Sequence, residues 1–239
     1  MSGTVRDQLP LALVADDAVA LISAFRQNGS IGFHDLSLAD SRGAYEVGCA
    51  ANGLPFQELP HVEDLVCPIE NGSIRLRHYS PFSEASGPRP VMLFVHGGGW
   101  AIGSLETHDL ICRQLAFASG IDLVAVEYRL APEHPFPVPL QDCIAALGYI
   151  CIHAAEQGWD PHRVLVAGDS AGGNLATVLA SDPRCAVSGT AVIGQLLFYP
   201  VASLASESPS YGRLESGFPL TADSMRWFKE LYLAPIPFT

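Results

Sequence analysis

Ser170 carries the plainest chemical promise in this chain. It stands in Gly168-Asp169-Ser170-Ala171-Gly172, a G-x-S-x-G pentapeptide. The β-branched run Val164–Ala167 precedes it and the helix-forming run Asn174–Leu179 follows. A strand, a tight turn and a helix start form the setting in which a serine hydroxyl is lifted off a sheet to act as a nucleophile. So sharp a turn strains the serine backbone, and only a residue as small as glycine at 168 and 172 lets strand and helix approach. The turn also aims the first helical N–H groups, Ala171 first, at whatever the hydroxyl attacks. The bland alternative is a Gly-rich turn in an α/β protein, since so short a pattern arises by chance. The flanking strand and helix favour the catalytic reading.

A second constellation is His96-Gly97-Gly98-Gly99-Trp100, directly after the apolar run Val91–Val95. Three consecutive glycines leave backbone N–H groups uncovered by side chains, and such a loop can hold an oxyanion or a phosphate. No Lys-Ser/Thr of a P-loop and no G-x-G-x-x-G accompanies it, so the oxyanion is favoured. His96 could act as a general base, but its ring reads better as a structural group that holds the loop by hydrogen bonds. Trp100 reads equally well as pocket wall or core.

The elements that must position these groups alternate. Residues 1–45 read as an amphipathic helical segment or part of a lid, with Leu9, Leu13, Ala20, Leu21 and Phe25 at helical spacing and Gly29, Gly32 and Gly43 as breaks. Val62–Ile69 and Ile74–Tyr79 flank Asn71-Gly72, a hairpin signal. After a polar loop over 83–90 come strands at Val91–Val95, Leu123–Tyr128, Val164–Ala167 and Ala191–Phe198. Helices are predicted over Thr107–Ser119, with Thr107 as N-cap and Gly120 as stop, over Leu140–Gln157 and over Thr221–Leu233. Four prolines exclude regular structure from Ala131–Pro139. The pattern is that of one α/β domain: a mostly parallel central sheet with an antiparallel start and flanking helices.

The 239 residues, 49% of them hydrophobic, can bury a substantial core. Thirteen basic against 25 acidic residues, a net charge of −12, argue against nucleic acid and anionic membrane surfaces as partners. No apolar run is judged long enough to span a membrane. The N-terminus carries Asp7, Asp16 and Asp17 and shows no basic-then-apolar block, so no secretory signal is read there. The cysteines, Cys49, Cys67, Cys112, Cys143, Cys151 and Cys185, form no C-x-x-C pair, and no histidine clusters at zinc spacing, so no metal is expected. Cys112, Cys143 and Cys151 fall in apolar-periodic stretches and are expected to be buried thiols of a reducing, cytoplasmic compartment.

HGGGW at 96–100, the segment from Tyr128 to Pro137 and GDSAGGNLA at 168–176 together resemble the hormone-sensitive-lipase-like branch of the α/β-hydrolases, a family of bacterial carboxylesterases and lipases. The stretches 103–109, 195–200 and 225–233 match as well, so the likeness runs from about residue 60 onward. It implies an ester hydrolase with Ser170 as nucleophile and with two of Gly97, Gly98 and Gly99, plus the Ala171 N–H, as oxyanion hole, acting on short-to-medium acyl esters without metal or organic cofactor. It also implies a core over 46–200, a cap built from the N-terminal segment and from 201–239, and a supporting role at the elbow for Asp169. Arg129, Glu133 and Asp142 are read as structural ion pairing.

The pattern then breaks. In this fold the acid and the base follow the nucleophile along the chain. All eight histidines precede Ser170, and the acidic residues after it, Asp182, Glu207, Glu215, Asp223 and Glu230, sit in no D-x-L-x-D or H-G-F motif. The closing strands of the sheet are therefore expected to be missing, the 191–198 strand to become an edge that promotes homo-oligomers, and turnover to be impaired. A non-catalytic pseudo-hydrolase that binds a small molecule, as in the gibberellin receptors of the same resemblance, is the alternative.

Overall fold

The computed structural model describes residues 8–84 and 87–233; residues 1–7, 85–86 of the expected polar loop and the tail 234–239 lie outside that description. Its frame is a six-stranded sheet. β1 (His61–Ile69) and β2 (Gly72–Ser80) form the antiparallel hairpin. Ile69 pairs with Gly72, so the connecting residues are Glu70 and Asn71, one position earlier than the Asn-Gly signal suggests. Asn71 takes the left-handed conformation, φ 64°, which its short polar side chain tolerates. β3 (Arg89–Val95), β4 (Asp122–Val126), β5 (Trp159–Asp169) and β6 (Val192–Phe198) are parallel. The spatial order is β1-β2-β4-β3-β5-β6, with β2 antiparallel to β4.

The helices are α1 (Asp16–Gln27), α2 (Leu38–Asn52), α3 (Leu105–Ser119), α4 (Val138–Gln157), α5 (Ser170–Ser181), α6 (Ser210–Arg213) and α7 (Ala222–Leu233). Side chains alternate across the strands. Met92, Phe94, Leu123, Ala125 and Ala167 meet Leu105, Cys112 and Ala116 of α3 on one face. Val91, Leu93, Val95, Val124 and Val166 meet α4 and α5 on the other. Both faces are covered, which is why these strands read as unbroken apolar runs. Each buried Val, Leu or Phe contributes about 1.5–3 kcal/mol.

Several expectations shift. α3 begins at Leu105 because Ser104, not Thr107, is its N-cap: Ser104 Oγ accepts the Thr107 N–H at 3.2 Å, and Thr107 Oγ1 accepts the Ser104 N–H at 2.9 Å. This reciprocal box places Thr107 at the third helical position. Gly120 ends the helix with φ 63°, as the sequence suggests. Gly43 lies inside α2, which carries the helical segment to Asn52, past residue 45. A side chain there would meet open space, so nothing forces a break.

α4, 20 residues with mean hydropathy 1.3, is long and apolar enough to cross a membrane, contrary to the sequence reading. Here Ala146, Leu147 and Ile150 pack in the core, as a buried helix does. Cys112 and Cys143 are buried, whereas Cys151 is only partly so. β6 has no strand on its outer side among the described residues, and Ile193 is 59% exposed there.

Candidate active site

The C-terminal ends of β3, β4 and β5 bring the sequence motifs together. β5 ends at Asp169 and α5 begins at Ser170, whose φ is +52°. A non-glycine residue in that region carries about 1–3 kcal/mol of strain and persists only where its surroundings hold it. The Ser170 carbonyl accepts the Val201 N–H at 3.0 Å, and Asn174 Nδ2 donates to the Val201 carbonyl at 2.9 Å. Gly172 is required by close approach: a Cβ there would overlap the carbonyl oxygens of Val95 and His96. A Cβ on Gly168 would stand 2.6 Å from the Gly172 carbonyl.

The glycine loop leaves β3 at His96. Gly98 (φ 113°) and Gly99 (φ 58°) take conformations that favour glycine, and Ala101 and Ile102 donate to the Gly98 carbonyl at 3.1 and 2.9 Å. The three glycine amides are not equivalent. Gly97 N–H donates to Asp169 Oδ1 at 2.8 Å and is thereby spoken for. Among the described residues the Gly98 and Gly99 amides donate to no protein acceptor. They share with Ser170 the wall of one cavity of about 780 Å³, which Tyr45, Leu220, Met225 and Phe228 line with apolar surface. Ala171 N–H belongs to the first turn of α5, whose amides have no intrahelical partner. A second cavity of about 790 Å³ lies between Arg42, Asp64, Arg75, Glu127 and Glu133. Volume does not separate the two, but only the first holds the strained serine and the bare amides.

The third motif braces this loop. Tyr128 Oη donates to the His96 carbonyl at 2.9 Å, and Ala131 N–H donates to the Trp100 carbonyl at 2.9 Å. Asp142 accepts the Arg129 guanidinium at 2.7 Å, the ion pair expected. Glu133 instead pairs with Arg42 of α2 at 2.8 Å and so ties that helix to the core. Trp100 is 1% exposed and stacks on Tyr232 with centroids 4.4 Å apart; it is core, with one edge on the cavity.

His96 is 2% exposed, stacked on Tyr128, with Nδ1 2.8 Å from the Gly97 carbonyl, to which it donates. Burial, aided by the neighbouring His108, pulls its pKa down to about 3, so the ring is neutral. His108 is the residue that sequence reasoning passed over. Its Nε2 lies 3.2 Å from Asp169 Oδ1 and its Nδ1 2.8 Å from Thr107 Oγ1. It lies in the 103–109 stretch that matches the family, but nothing in that stretch singles out the histidine. Burial raises the Asp169 pKa, but the His108 and Gly97 hydrogen bonds outweigh it and leave the carboxyl below its ordinary value. Both ring nitrogens of His108 are thus engaged, and among the described residues no side chain hydrogen-bonds Ser170 Oγ.

A mostly parallel sheet with a positive-φ serine between strand and helix, faced by a glycine loop at the strand ends, defines the class of an α/β hydrolase. The model of the alpha/beta hydrolase fold matches residues 92–239, and the chain belongs to that family. It is 41% identical over 176 residues to the carboxylic ester hydrolase LipN of Mycobacterium tuberculosis, covering 72% of this chain and 46% of that protein. It is 33% identical over 220 residues to the ethyl acetate hydrolase of Pseudomonas putida, covering 91% and 69%. A Lake Arreo metagenome ester hydrolase, complexed with a bipyridine phosphonate derivative, superposes with TM-score 0.83 at 36% identity, covering 96% of this chain and 71% of that one. The chain thus spans less than half the length of its Mycobacterium relative.

Proposed function

We propose that the protein acts on carboxylic esters of short-to-medium acyl chain, with Ser170 as the nucleophile. The observation that carries this reading is the strained Ser170 on the same cavity wall as the unengaged Gly98 and Gly99 amides. Ser170 Oγ bonds to the ester carbonyl carbon and the carbonyl oxygen becomes an oxyanion. The Gly98, Gly99 and Ala171 amides hold that charge, and a donor of this kind is worth about 10²–10³ in rate. Collapse expels the alcohol, and water then releases the acid from the acyl-enzyme. Asp169 fixes the loop to the elbow through Gly97, so it positions the donors and does not serve as the triad acid. The apolar lining of the 780 Å³ cavity suits an acyl chain.

The Ser170 proton needs an acceptor. His108 is engaged at both ring nitrogens, His96 Nε2 is buried without a partner on a ring that burial keeps from taking up a proton, and no histidine follows Ser170 in the 239 residues. We therefore expect these 239 residues alone to turn over more slowly, by about 10⁴–10⁶ relative to a complete triad. The test is labelling with a fluorophosphonate probe beside turnover of a p-nitrophenyl butyrate substrate, with Ser170→Ala as control. Slow labelling that vanishes in the control, with weak turnover, is expected. Labelling elsewhere, or none on the folded protein, would sink the nucleophile assignment. A kcat of about 1–10³ s⁻¹, ordinary for enzymes, would overturn the impairment and mean that a base stands in.

A further inference from the structure

The hairpin carries a second cluster of chemical groups, away from the strand ends that hold Ser170. We infer that His61, Glu63 and His78 form a binding site for a divalent first-row metal ion, with Zn²⁺ the ion suited to their imidazole and carboxylate donors.

Strand register assembles the site. His61 and Glu63 are two apart on β1 and face the same way, and Glu63 lies directly opposite His78 on β2. The donor atoms all lie within 4.8 Å of one another. His61 Nε2 is 3.0 Å from Glu63 Oε1, and His78 Nδ1 is 3.6 Å from the same oxygen. Ligands bound tetrahedrally at about 2.0–2.1 Å stand about 3.3–3.5 Å apart, between those two spacings. The wider gap between the two rings closes through His61, whose side chain is 49% exposed on the edge strand.

The independent observation is His78 itself. The residue is 3% exposed, and its Nδ1 is buried with no hydrogen-bond partner. Its Nε2 lies 3.2 Å from the fully buried Asp122, a carboxylate that accepts and so places the ring proton on Nε2. The Nδ1 lone pair then faces the Glu63 carboxylate, one acceptor opposite another. A proton on Nδ1 would not bridge them well, because 3.6 Å is too long for that hydrogen bond. A metal ion bonded to both would. Asp122 then orients the ligand as outer-shell carboxylates do, while Arg89 Nε at 2.7 Å shares its charge. Trp159 packs edge-on against the His78 ring, with centroids 5.1 Å apart, and helps to hold that ring in place. The ion would clamp β1, the outermost strand, onto β2. Spacing alone gave no hint of this, since His61 and His78 are joined only by the register of the hairpin.

The test is calorimetric titration of the full chain, first stripped by chelator, with Zn²⁺, on the wild type and on His61→Ala, Glu63→Gln and the surface control His153→Ala. His61 and Glu63 lie on the exposed edge strand, so both variants are expected to fold, checked by thermal melting. One ion per chain is expected, with affinity reduced more than about 10-fold in each of the first two variants, since even an outer-shell partner is worth about 10–100-fold. His153→Ala should bind as the wild type does. Absence of saturable binding, or equal affinity in wild type, His61→Ala and Glu63→Gln, overturns the site.

Discussion

Replacing His96 by phenylalanine tests the account of the glycine loop through acid stability. The ring is 2% exposed, and burial holds its folded pKa near 3 against an ordinary value of 6.5. Between those values the unfolded chain takes up a proton that the folded chain refuses. The stabilisation is thus complete above pH 6.5 and drains as the pH falls toward 3. The whole gap corresponds to roughly 5 kcal/mol, and each pH unit inside it to about 1.4 kcal/mol. His96→Phe keeps a flat ring to stack on Tyr128, now 4.2 Å away, but cannot take a proton. It loses the bond from Nδ1 to the Gly97 carbonyl, about 1 kcal/mol at every pH. Urea unfolding of both proteins at pH 7, 6, 5 and 4 reads the difference, in which other titrating groups cancel. The variant should be about 1 kcal/mol less stable at pH 7 and about 2 kcal/mol more stable at pH 4. Parallel stability curves across that range would show that His96 accepts its proton within the fold, and the reasoning would fail.

Two further outcomes follow from the same geometry. Gly172→Ala drives a Cβ into the backbone oxygens of Val95 and His96, which a central strand cannot withdraw; it should lose about 1–3 kcal/mol in thermal or urea unfolding, together with Ser170 labelling. A variant that melts and labels like the wild type would contradict the close approach at the elbow. The edge of β6, which no strand covers among the described residues, should cause concentration-dependent association that Ile193→Lys suppresses, as read by sedimentation velocity; a monodisperse monomer at all concentrations would count against it.

The fold was legible where local pattern and burial agree. The parallel strands announced themselves because α3 on one face and α4 with α5 on the other leave no polar side to interrupt the apolar run. Ser170 and the glycine loop were legible because close backbone approach admits so few residue types. What stayed hidden depended on partners distant in sequence. Ser104 and Thr107 can both cap, and only the structure shows which one does. Gly97 looks like its two neighbours in sequence, yet Asp169, 72 residues on, takes its amide. His108 and Glu133 acquire their partners through tertiary packing, as do His61 and His78 through strand register. α4 is long and apolar enough for a membrane span, yet Ala146, Leu147 and Ile150 pack in the core, because composition alone cannot distinguish core from bilayer.

The Asp169 carboxylate touches both the residue that opens the glycine loop and the first turn of α3. Elbow, loop and helix therefore behave as one rigid joint. An engineer who wished to graft this glycine loop onto another scaffold would have to transplant residues 97, 108 and 169 together, because the loop borrows its shape from a side chain on a different strand.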